Sequence, residues 1–305
     1  MADAFTLVIN SSNISNRNTN AIFTYNFIGG GFTVDDDTMV MVSSAQIPYS
    51  IFNISAAYDN NSFGLRFPTG STAGTYTFFT ININDGFYTI NDLNAFMQQY
   101  AIANGLYLIN FDGEYVYYTP KFSFNQKYYS IEILFYTVPR AKPFGWQQPA
   151  NWIGYSTYSQ DRTPIITIFS TNKFGDYLGF EPGDYPSSSS ESSGESSLLA
   201  INEFGDTSVL SNKLPPIGSY VNSIIIHCSL VNNPVISPSD ILDAFQISNT
   251  KFGENINYNP SVKKFVKLTK GTYSSMIIYL TDQNNNPITL IDPNILITLL
   301  FKKIK

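Results

Sequence analysis

Cysteine and histidine are nearly absent from this 305-residue chain, with one of each, and the two are neighbours, His227 and Cys228. They lie in a strand-like run, Val221 to Leu230, where successive side chains point to opposite faces, so they cannot converge on one substrate atom. A lone cysteine excludes an internal disulfide framework, and one of each residue excludes a Cys/His zinc site within the chain. No run approaches the roughly 18 apolar residues of a membrane span. Met1 to Phe5 lacks the basic region and apolar run of a secretory leader, so synthesis in a reducing cytosol is expected. The Asn-x-Ser sequons at Asn10, Asn13, Asn53 and Asn60 then need no glycans.

Charge is also sparse, at 13% of residues, and unevenly spread. The net charge is -6, but Lys251 to Lys305 carries +5 and the preceding residues -11. This asymmetry argues against nucleic-acid binding over the whole surface while leaving the tail open to a polyanion. Phosphate-loop chemistry is missing too, because Gly29-Gly30-Gly31 is followed by Phe32-Thr33 and not by Lys-Ser or Lys-Thr. Asp35-Asp36-Asp37 lacks the alternating ligands, turn glycine and distal glutamate of a calcium loop and reads as a charged turn. No cofactor, metal or catalytic residue is assigned, and the chain is expected not to be an enzyme.

What is present is strand material: 43% apolar residues and 15% aromatics, enough for a large core. Runs rich in β-branched and aromatic residues alternate with Asn, Gly, Pro and Asp clusters, the pattern of an antiparallel all-β protein. They include Phe5 to Ile9, Ala21 to Ile28, Thr38 to Ile47, Thr75 to Ile83 and Tyr128 to Val138. At the end of the chain Ile295, Ile297, Leu299 and Phe301 share one face. Val262 to Leu268 and Thr272 to Thr281 read as two strands joined tightly at Lys270-Gly271. One helix interrupts the rhythm: Thr89 and Asp92 form a capping box, Ile90, Leu93, Phe96, Met97 and Tyr100 fall at helical spacing, and Asn104-Gly105 stops it. A second short helix is expected within Lys173 to Phe180, and Pro186 to Ser197 is expected to be a mobile serine-rich loop. The irregular stretch Pro139 to Trp152 holds both tryptophans, Trp146 and Trp152, as candidates for contacting a partner or a glycan.

Several phrases together resemble the penton, or minor capsid, proteins of virophages and Polinton-like viruses. They are Gly86 to Leu93 opening the helix, Phe174 to Phe180, Ile224 to Val231, Met276 to Gln283 and Ile295 to Phe301. The resemblance spans residues 38–305. It implies a single jelly-roll β-sandwich, and a homopentamer that closes the fivefold vertices of an icosahedral shell built mainly of double-jelly-roll major capsid trimers. The implied partners are further copies of itself and the major capsid protein, and the implied location is the virion, after synthesis in the host cytoplasm. The strands exceed the eight of a jelly roll, so the expected division is a jelly roll from 1–83 and 205–305 with an α+β insertion over 84–204. Lys263, Lys264, Lys267, Lys302, Lys303 and Lys305 are expected to face the shell interior or an adjoining capsomer, with packaged DNA as a candidate partner. The alternative function is a carbohydrate- or receptor-binding β-sandwich, a fibre head or lectin-like attachment protein, using Trp146 and Trp152.

Overall fold

The computed structural model describes residues 4–29, 31–69, 75–139, 141–154, 162–187, 207–215 and 221–303. The chain forms two compact units, one from Met1–Phe52 with Val221–Lys305 and the other from Asn53–Tyr220.

The first unit begins with β1 (Ala4–Asn10), β2 (Ile22–Asn26), β3 (Phe32–Val34) and β4 (Thr38–Pro48). The second holds β5 (Ser62–Pro68), β6 (Tyr76–Asn82), α1 (Ile90–Asn104), β7 (Tyr107–Ile109), β8 (Tyr115–Tyr117), β9 (Lys121–Asn125) and β10 (Ser130–Phe135). It continues through β11 (Ile165–Ile168), α2 (Phe174–Leu178), β12 (Gly183–Tyr185) and β13 (Thr207–Leu210). The first unit then resumes with β14 (Ser223–Cys228), β15 (Ile241–Gln246), β16 (Asn255–Tyr258), β17 (Val266–Lys267), β18 (Gly271–Tyr273), β19 (Ser275–Thr281) and β20 (Leu296–Lys303).

Two antiparallel sheets form most of the first unit, in the orders β1-β20-β4-β16, with β17 also on β4, and β15-β14-β19-β2, beside a two-stranded β3-β18 sheet. Numbering the eight strands of these two orders along the chain, they read 1-8-3-6 and 5-4-7-2, which is the two-sheet jelly roll. The alternation read from the sequence supplies one inner face: Ile297, Leu299 and Phe301 are fully buried and pair across to Ile9, Leu7 and Phe5 of β1. Phe5 and Phe301 stack with centroids 4.8 Å apart and planes 3° from parallel. The other inner face comes from Phe23, Ile224, Ile226, Met276, Ile278 and Leu280.

Strand β4 needs one irregularity to serve this core. Val40 and Val42 are buried at even positions, Ala45 and Ile47 at odd ones, and a strict period of two cannot turn both sets inward. The ladder with β20 skips Ser43, since Leu299 pairs with Val42 and Thr298 with Ser44. This bulge at an exposed serine shifts the phase by one residue.

Three expectations are corrected. The insertion spans 53–220 and not 84–204: β5 and β6 pair with each other and with β11 in the order β12-β11-β5-β6, and β13 pairs with β10, so all belong to the second unit. The tight hairpin at Lys270-Gly271 does not form, because β17 pairs with β4 and β18 with β3. The strand expected from Val262 shrinks to two residues, with Val262 itself exposed. The serine-rich segment lies outside the described residues from 188 onward.

The second unit has its own core. Thr89 accepts from the Asp92 backbone N–H while Asp92 accepts from that of Thr89, closing the capping box, and Gly105 ends α1 in the left-handed conformation. Leu93, Met97 and Ala101 of this helix are buried in a cluster with Phe63, Phe67, Phe122, Ile133, Phe174 and Phe180.

Candidate functional site

The lysine-rich surface belongs to the first unit. Lys302 of β20 and Lys267 of β17 both pair with Met39 of β4, from opposite sides, so the three side chains share one face of the sheet. Lys302 lies over the ring of Phe265, 5.7 Å from its centroid, and Lys263, Lys264 and Lys267 are exposed. Lys303 is drawn aside by Asp35 at 2.5 Å, and Lys270 by Asp36 at 2.8 Å. The hydrogen bond from Lys270, reinforced by its charge, holds the Asp36 carboxyl below the usual carboxylate range. The Asp35-Asp36-Asp37 turn thus engages lysines, and no group of three or more metal-ligating side chains occurs among the described residues. Lys305 lies outside them.

A polar cluster that the sequence did not reveal surrounds His227. Its Nδ1 lies 3.1 Å from Asp240 Oδ1 and its Nε2 lies 2.9 Å from Thr281 Oγ1, while its ring stacks on Tyr279. A carboxylate can only accept, so Nδ1 is the donor. The Tyr279 hydroxyl donates to the other Asp240 oxygen. Burial would raise the Asp240 pKa, but the bonds from Tyr279 and His227 outweigh it and lower it. The order Asp240–His227–Thr281 is that of a carboxylate–imidazole–hydroxyl relay. His227 and Thr281 are 1% and 4% exposed, however, so substrate cannot reach the hydroxyl and the cluster fastens strands together. Cys228 is buried as well, and burial pushes its thiol up to about 11, far from a reactive thiolate.

Trp146 and Trp152 lie in the second unit, half-buried against its core. Trp152 meets Phe67 and Tyr118 edge-on, at 6.0 and 5.7 Å. Backbone hydrogen bonds between Ile109 and Gln147 fix the Trp146 loop to the β7–β8 hairpin.

The same unit contains a cavity of about 340 Å³ beside α1. Tyr115 and Tyr117 of β8 and Tyr136 supply its aromatic surfaces, Met97 its apolar floor, and Asn94, Gln98, Thr119 and Lys121 its other polar side chains. Tyr115 and Tyr117 stack at 6.0 Å, with Tyr107 against both. Burial, then the neighbouring phenols Tyr115 and Tyr107, raise the Tyr117 pKa.

No protein-family model matches the chain and no curated protein matches it. Among solved structures it is similar to the mavirus penton protein, with a TM-score of 0.43 and 11% identity over 100% of both chains. It is also similar to a chain of the Sputnik virophage structure, with a TM-score of 0.39 and 14% identity over 99% of this chain and 98% of that one.

Proposed function

We propose that this chain is a structural protein of a viral capsid, a penton that assembles as a homopentamer at the fivefold vertices of an icosahedral shell. The observation that carries this reading is the complete eight-strand jelly roll, interrupted only between its third and fourth strands by a second compact unit. Jelly rolls serve both capsids and lectins. The resemblance of residues 38–305 to virophage and Polinton-like penton proteins favours the capsid.

Assembly is then the mechanism. Five copies around one axis need heterologous contacts in which one flank of a subunit matches the opposite flank of its neighbour. Lys263, Lys264, Lys267 and Lys302 would meet the shell interior or an adjoining capsomer, the last steadied by Phe265. Lys303 is the weaker contributor because Asp35 offsets its charge.

The test is solution mass by light scattering, for the chain alone and mixed with the candidate major capsid protein. A mass of five chains, alone or on mixing, supports the penton. A monomer or trimer indifferent to the capsid protein overturns it in favour of an attachment protein. Replacing Lys263, Lys264, Lys267 and Lys302 with glutamate is expected to lower particle yield or genome content; unchanged particles would remove the lysine surface from the mechanism.

A further inference from the structure

The cavity beside α1 is built unlike a packing defect. Its volume, about 340 Å³, sits at the lower end of the range for small-molecule sites, about 300–1,000 Å³. Three tyrosines line it, and aromatic faces of this kind receive the C–H faces of flat polar molecules. Asn94 contributes wall and not recognition, because its amide is consumed by both backbone groups of Phe122, at 2.7 Å each. Gln98 and Lys121 are exposed, and neither has a hydrogen-bond or ion-pair partner among the described residues. The phenolic groups of Tyr115, Tyr117 and Tyr136 likewise make no hydrogen bond there. Solvated donors and acceptors therefore border an aromatic surface, uncommitted to any partner among the described residues.

Charge narrows the ligand further. Among the described residues no aspartate or glutamate lines the cavity, and Lys121 is the one charged side chain there. A cationic ligand would meet repulsion, a wholly apolar one would use neither the amide nor the ammonium, and a long polymer would exceed the volume. We propose that this pocket is a binding site for a carboxylate-bearing monosaccharide unit, stacked on Tyr115 and Tyr117, with Gln98 reading ring hydroxyls and Lys121 the carboxylate. The site is separate from Trp146 and Trp152 and does not depend on the capsid reading.

The experiment is saturation-transfer NMR on the full chain, with N-acetylneuraminic acid and glucuronic acid as probes and galactose as the neutral control. Wild-type protein is expected to transfer saturation to an acidic sugar, and Tyr115→Ala to weaken that binding about tenfold. Lys121→Glu is expected to abolish the preference for acidic over neutral sugar, and Trp146→Ala to leave binding unchanged. Tyr115, Gln98 and Lys121 are exposed, so these variants should keep the parent melting temperature; Gln98→Ala replaces either one that does not, with loss of affinity expected. No transfer to either acid overturns the proposal. So does transfer that survives the pocket substitutions, or that is lost in Trp146→Ala.

Discussion

The imidazole of His227 lies flat on the phenol of Tyr279, centroids 4.3 Å apart and planes 7° from parallel. The stack ties β14 to its neighbour β19, where the two residues are direct partners in the ladder. Asp240, just ahead of β15, bonds to both rings, so three consecutive strands of one sheet meet at this cluster.

Removing the Tyr279 hydroxyl tests that fastening. Tyr279→Phe keeps the stack but loses a bond to a carboxylate, and should cost about 1.5–3 kcal/mol at neutral pH. Burial, then the bond and charge of Asp240, raise the Tyr279 pKa to about 12. A raised folded-state value means stability that is complete below the unfolded value, about 10, and lost as pH rises through 12. Denaturant melts from pH 9 to 12 should show the wild-type advantage over Tyr279→Phe fading across that window; a constant difference would refute the assignment.

The acid limb runs the other way. The Asp240 pKa is lowered in the folded state, so its contribution is complete above the unfolded value, about 3.9, and disappears as pH falls through the folded one. Asp240→Asn should therefore be less stable than the parent near neutrality and converge with it below about pH 4. Parallel urea titrations at descending pH measure this, and a gap that stayed open in acid would count against it.

Gly105 and Gly113 separate backbone strain from crowding. Both have positive φ, +68° and +84°, but a Cβ on Gly105 would lie 2.5 Å from the Asn151 carbonyl oxygen, whereas one on Gly113 would meet nothing within 4 Å. Gly113→Ala should cost about 1 kcal/mol, the strain of a left-handed residue, and Gly105→Ala clearly more, because α1 loses its terminator and Asn151 must move. Equal losses in thermal melts would show the space at Gly105 to be unimportant.

The single thiol reports on global opening. With Cys228 fully buried and its pKa near 11, a disulfide reagent should not label the native chain and should label one site in denaturant. Rapid native labelling would mean that β14 opens locally.

Phe301 probes the sandwich core. It is fully buried, pairs with Phe5 and contacts Phe32 edge-on at 5.5 Å, so Phe301→Ala should cost about 3–5 kcal/mol. A loss below about 1 kcal/mol in chemical denaturation would mean that the site collapses around the cavity.

The local signals were legible in the sequence and the distant ones were not. Alternation at Ile295, Ile297, Leu299 and Phe301 needs only the period of a strand, and the Thr89–Asp92 box only one turn of helix, so both could be read directly. Partner choice is different in kind. Nothing near Gly271 says that it will pair with Val34 instead of folding back on β17, and nothing near Tyr279 points to an aspartate 39 residues away. The Ser43 bulge was hidden for a related reason: the change of phase in β4 becomes visible only beside the regular alternation of β20. The pocket is not legible in the sequence because α1, β8 and the segments around β9 and β10 each give one to three lining residues, none unusual alone.

The interruption of the jelly roll also sets an order in time. During synthesis, β1 to β4 emerge first, yet among the described residues β1 pairs with β20, the last strand there, and β4 with β16, β17 and β20. All of residues 53–220 are made in between, and their sheets close among themselves. Long-range pairing is slow because the loop must close before any contact rewards it. The inserted unit should therefore be finished while the leading strands still wait with open edges, and those edges are where a chaperone, or a neighbouring nascent chain, would find this protein.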